Sequence, residues 1–138
     1  MRIVVMDGQG GGMGKAVVEQ LRAQCPEQVI LAVGTNSLAT LAMLRAGATQ
    51  GATGENAVIV NAAHADLIIG PIGLVLADAL MGEVTERMAA AVGRSPAHKI
   101  LIPTVRCQVT VAGTEKLSPT AAVADAVRAA VARLNGEA

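Results

Sequence analysis

The residues best suited to chemistry lie in one turn, Met6-Asp7-Gly8-Gln9-Gly10-Gly11-Gly12-Met13-Gly14-Lys15-Ala16, where five of the seven residues from Gly8 to Gly14 are glycine. A short apolar strand, Ile3 to Val5, precedes it, and a helical pattern carried by Val17, Val18 and Leu21 follows. A strand, a glycine turn and a helix start together make an anion site. The first helical N–H groups lack partners, and the positive end of the helix faces the same point. Missing Cβ atoms let a ligand or another backbone come close. The expected chemistry is binding of a phosphate-type group, and the alternative is a turn that only packs helix on strand. Asp7 can coordinate a metal, act as a base, or accept backbone N–H bonds within the turn. Lys15 can reach a phosphate, although a first-turn lysine facing solvent is the preferred reading.

Spacing narrows the ligand class. The dinucleotide pattern GxGxxG fails, because counting from Gly8 puts Met13 at the third glycine. The phosphate-loop pattern GxxxxGK[ST] fails too, with Gln9 at its first glycine and Ala16 at its hydroxyl position. What fits is GxxxGxG, read as Gly8, Gly12 and Gly14, and that resembles the turn of short-chain dehydrogenases with Asp7 in place of their threonine. The resemblance supports a Rossmann-like unit without the dehydrogenase chemistry, since that chemistry needs a tyrosine and the chain has none. No acid follows the second strand to hold ribose hydroxyls; Gly34-Thr35-Asn36 stands there instead. Thr35 or Asn36 can bond a hydroxyl or a 2′-phosphate.

Other candidates are sparse. His64 and His98 read as surface loop histidines, and the two cysteines, Cys25 and Cys107, lie far apart without a CxxC. No zinc spacing appears, so no metal is expected. Arg106 is placed to reach an anion, while Cys107 reads as a buried, inert thiol.

The elements that must position these residues alternate between strand and helix. The turn leads into a helix from about Gly12 to Gln24, ended by Pro26. Gln28 to Val33 is a continuous apolar run, as expected for a parallel strand covered on both faces. A helix over Leu38 to Ala46 follows, capped by Asn36 or Ser37 and closed by Gly47. Ala48 to Asn56 reads as a mobile polar loop, Ala57 to Asn61 as a third strand and Asp66 to Ile69 as a fourth. Gly70-Pro71-Ile72-Gly73 opens a helix to about Leu80, and Val84 to Val92 forms another. Lys99 to Pro103 and Arg106 to Ala112 are the last strands, and Ser118-Pro119 starts a final helix to about Leu134. This alternation predicts a single three-layer α/β domain, Rossmann-like, with a mostly parallel sheet of about five strands. Ligands in such sheets sit beyond the strands' carboxyl ends. Asp7, Gly34-Thr35-Asn36, Asn61 and Gly70-Pro71 all fall there and join the glycine turn as the candidate site.

Composition sets the outer limits. The 138 residues carry 11 basic and 11 acidic side chains, so no charge footprint for nucleic acid or an anionic membrane is expected. No apolar run is long enough to span a bilayer and no signal peptide is visible, which makes the cytoplasm the expected location. Phe, Tyr and Trp are absent altogether, so no aromatic ring can stack on a base. With 52% apolar residues and 16% charged ones, a homo-oligomer is expected, with Leu74 to Leu80 or the last helix as its interface.

DGQGGGMGKA, followed by GTNSLAT, ATGENA, ADLIIGPIG and KILIP with a nearby cysteine, resembles a small uncharacterised bacterial family of single-domain proteins. The resemblance implies that these segments form one site, and brings no activity. Weaker likenesses are to the DxHxxG turn of cobalamin-binding domains, with Gln9 at the histidine, and to the phosphate turns of methylglyoxal-synthase-like domains. Three functional classes follow. The chain binds a nucleotide or dinucleotide, NAD(P) among them, without redox chemistry of its own; it acts on a phosphorylated metabolite through Asp7 and Asn61; or it is an assembly protein with a purely structural turn.

Overall fold

A computed structural model describes residues 1–104 and 108–137. Five strands, β1 (Ile3–Asp7), β2 (Ile30–Gly34), β3 (Gln50–Thr53), β4 (Leu67–Pro71) and β5 (His98–Ile102), form one all-parallel sheet in the order β3-β2-β1-β4-β5. This Rossmann-like order places the reversal of winding between β1 and β4. Alternation along β1 builds both layers. Ile3 and Val5 enter one core with α1 (Gly12–Gln24), α2 (Ser37–Arg45) and α5 (Pro119–Leu134), while Val4 and Met6 enter another with α3 (Glu55–His64) and α4 (Glu86–Arg94). Strands buried on both faces call for apolar residues, which is why Ile3 to Met6 of β1 and Leu67 to Ile69 of β4 read as unbroken apolar runs.

Caps fix the helix starts. Asn36, Thr85 and Ser118 accept from the N–H groups of Ala39, Met88 and Ala121 and so begin α2, α4 and α5.

The middle of the chain departs from the sequence expectation. Ala57 to Asn61, expected as a strand, lies inside α3. A short apolar run has no period of its own, and burial of Val58 and Ala62, four residues apart, shows that the helical one wins. The third strand is instead Gln50–Thr53, inside the segment expected as a loop. It forms the sheet edge and pairs only with β2, so small polar residues suffice, and a Cβ at Gly51 would press within 2.9 Å of Thr40 on α2. The helix expected to reach Leu80 is a single 3-10 turn, Ile72–Val75, followed by a looped segment, residues 76–84. Of the expected Arg106 to Ala112 strand, Arg106 and Cys107 lie outside the described residues, and 108–112 carries no strand.

Candidate functional site

Parallel pairing brings the ends of β1, β2 and β4 to one edge of the sheet, where Asp7 stands beside Gly34 in the β1–β2 register. Asp7 is 5% exposed, and its carboxylate accepts the N–H of Gly8 at 2.8 Å and of Gly14 at 2.6 Å. It therefore braces the turn from beneath and serves α1 in place of a capping side chain, since Gly11 at the cap position offers none. Burial pushes the Asp7 carboxyl above its ordinary 3.8; the amides of Gly14 and Gly8 offset part of that rise, and the charge of Glu83 adds to it.

The glycines divide into two sets. A Cβ at Gly14 would lie 2.8 Å from the Asp7 Cβ, one at Gly8 would lie 2.6 Å from Thr35 Oγ1, and one at Gly11 would lie 2.8 Å from the Ala39 backbone. Gly11 also holds φ 75°, a left-handed conformation that disfavours any side chain. These three are demanded by packing. At Gly10 and Gly12 a Cβ would meet nothing within 4 Å. The N–H of Gly11 bonds the Gly8 carbonyl, and that of Gly14 goes to Asp7. The N–H groups of Gly10, Gly12 and Met13 have no acceptor among the described residues. Met13's side chain packs partly buried against the core, and Lys15 is exposed.

Thr35 and Asn36, at the end of β2, converge with the turn on a residue the sequence reading missed. Glu83 Oε1 accepts the Gln9 N–H at 2.8 Å, the Thr35 hydroxyl at 2.6 Å and the Asn36 side-chain amide at 2.9 Å. Asn36 also donates to the Gln9 carbonyl at 2.9 Å while its oxygen caps α2. Burial works to raise the Glu83 pKa, but its donors Thr35, Gln9 and Asn36 outweigh it, and the carboxyl lies below its ordinary 4.5. The available signal was slight: an acid after Gly82 in a segment that begins at a β4 end already assigned to the site.

Other expected residues fall as follows. Gly34 and Gly70 are at the strand ends, but close packing explains both: a Cβ at Gly34 would strike Thr40, and one at Gly70 the Met6 carbonyl. Pro71 is buried as the last residue of β4. Asn61 is corrected: it lies midway along α3, where its side chain donates to the Ala57 carbonyl at 2.8 Å, and the helix carries it away from the turn. His64 ends α3 and His98 begins β5, both exposed at the amino end of the sheet, opposite the turn. Burial lowers the His98 pKa, with the charges of Arg133 and Lys99 acting the same way. Among the described residues no three His, Cys, Asp or Glu side chains gather around a point that could hold a metal ion, and no helix is long and apolar enough to cross a membrane.

A family model described as a domain of unknown function, DUF3842, matches residues 2–135. The chain belongs to the DUF3842 family. No curated protein gives a significant match to this DUF3842 chain. Among solved structures it is similar to a dodecameric FMN-dependent Ubix-like decarboxylase from Escherichia coli O157:H7, at a TM-score of 0.52 and 17% identity, over 97% of this chain and 94% of that one. At that identity the likeness establishes the shared α/β architecture of the DUF3842 chain.

Proposed function

We propose that this chain binds the phosphate of a nucleotide or dinucleotide at the glycine turn and holds it without redox chemistry of its own. One observation carries the reading. Gly12 and Met13, at the start of α1, and Gly10 before them keep N–H groups with no acceptor among the described residues, and the space over Gly10 and Gly12 is open. A helix start with unclaimed amides favours an anion by both hydrogen bonding and dipole. The FMN dependence of the structurally similar decarboxylase makes FMN a candidate beside AMP, ADP and NAD(P). A flavin or base would lie on aliphatic side chains, since the sequence has no aromatic residue. Binding is favoured over acid–base catalysis because Asp7 and Glu83 are both engaged by N–H or O–H donors.

Calorimetry against inorganic phosphate, AMP, ADP, FMN, NAD+ and NADP+ tests the reading. At least one nucleotide is expected to bind, with inorganic phosphate competing weakly. Failure of the whole panel, with the fold intact by circular dichroism, overturns it.

A self-associating chain is also supported. Leu38, Leu41 and Leu44, spaced by three along α2, are 69%, 41% and 37% exposed. Leu74 and Leu80, expected at an interface, are instead buried within the chain. The exposed leucines of α2 support an association face there, beside the expected last helix, and the structurally similar decarboxylase is itself a dodecamer.

A further inference from the structure

The sheet ends differently at its two edges. β5 carries Lys99, and a lysine is one of the devices that keep an edge from pairing with another chain. β3, at the other edge, reads Gln50-Gly51-Ala52-Thr53, without charge or proline, and its one-to-one register with β2 holds no bulge. Thr49 N–H bonds the Ile30 carbonyl at 2.8 Å, so alternation turns the N–H groups of Gln50 and Ala52 away from β2. Neither has an acceptor among the described residues. The Ala52 carbonyl receives the Thr40 hydroxyl at 3.3 Å and keeps its second lone pair.

The same edge is apolar on its α2 side. A Cβ at Gly51 would lie 3.0 Å from Leu44 Cδ1, so the exposed Leu44 reaches over the edge strand. Ala42 faces the other way, against Gly11 of the turn, which leaves Leu41 and Leu44 on the side of β3. From Gly34 to Gly54 the sequence carries a single charged residue, Arg45. That neutrality decides the occupant. A two-fold axis sets each group near its centre against its own copy, so a charge there would meet a like charge. A patch without charge suits a second copy of this chain and gives a charged partner nothing to recognise.

We propose that two copies of this chain join about a two-fold axis at Gly51, with β3 pairing antiparallel to its own copy so that the two sheets become one, and Leu41 and Leu44 closing over the seam. A register centred on Gly51 sets Gln50 of each copy opposite Ala52 of the other. Both are then hydrogen-bonded pairs that use the outward N–H and carbonyl groups, and Gly51 meets itself at the close, non-bonded position between them. The leucines supply the apolar area that so short a strand pair lacks. The proposal rests on the association reading above and deepens it by naming the contact.

The test is sedimentation velocity of the wild-type chain, Gln50→Pro and Leu44→Glu, with residue-resolved hydrogen exchange of the wild type at low and high concentration. Gln50→Pro removes an N–H that nothing among the described residues uses, at an edge position where proline is tolerated. Each substitution is expected to weaken the two-copy species about tenfold or more, and the Gln50 and Ala52 amides to gain protection by about the same factor as the wild type associates. Association that survives Gln50→Pro, or Gln50 and Ala52 amides that stay unprotected in the associated wild type, overturns the strand pairing. Loss of association in Leu44→Glu alone then leaves the α2 face standing. A wild type that remains a single chain up to millimolar concentration overturns both readings. Should Gln50→Pro fail to fold, the exchange of Gln50 and Ala52 in the wild type decides.

Discussion

Neighbouring glycines in the turn are expected to respond to one methyl group with opposite signs. Gly11→Ala forces a side chain into φ 75° and against the Ala39 backbone, and should cost about 1–3 kcal/mol. Gly12→Ala places its methyl in open space at the first position of α1, and should be neutral or stabilise by about 0.4–1 kcal/mol. Urea denaturation of the two variants checks this. At this scale the sequence showed the turn and its strand-end partners Thr35 and Asn36, because a glycine cluster between strand and helix patterns is a local signal. It did not show which glycines pack and which face outward, since that depends on α2 lying across Gly11. Nor did it separate the roles open to Asp7, which only the Gly8 and Gly14 amides decide. Glu83 left only a slight signal for a plainer reason: it is 74 residues from Gln9, and the sheet order joins them.

Among the elements, the segment 76–84 is expected to respond to pH through Glu83. The Glu83 carboxyl is depressed below 4.5, so the stability its bonds contribute is fully present above that value and is lost as pH falls through the lower folded value. The protection of amides within 76–84, with exchange compared to the unfolded-chain rate at each pH, is therefore expected to hold at neutral pH and to fall only below about pH 4.5, the ordinary carboxyl value, with Glu83→Gln removing that fall. Protection that stays unchanged as pH falls well below that value would show that the carboxylate does not hold the segment. Elements with strong local signals were legible: α1 between the glycines and Pro26, α5 behind Ser118-Pro119, and the apolar runs within β1, β2 and β4. The exchange of roles between Gln50–Thr53 and Ala57–Asn61 was not. An edge strand roofed by α2 needs small residues more than apolar ones, and so resembles a loop in sequence. A helix packed in a layer presents a short apolar run, and so resembles a strand.

For the whole molecule, the unbalanced surface is the Leu38, Leu41 and Leu44 face of α2. Leu38→Glu with Leu41→Glu is expected to convert a homo-oligomer to a single chain in light scattering while leaving the melting profile intact; a wild-type mass of one chain at micromolar concentration would contradict the association. The parallel sheet accounts for the site more directly, because the strand order gathers the turn, Thr35-Asn36 and the Glu83 segment at one edge. In the proposed site the outward glycines admit a phosphate, a property open to direct measurement. It is tested by calorimetric titration of AMP into the wild-type chain and Gly12→Val, in phosphate-free buffer and with unfolding followed in parallel. The wild type should bind AMP, and Gly12→Val, stable to within about 0.5 kcal/mol as befits an exposed substitution, should not. Equal binding by both chains would contradict the account.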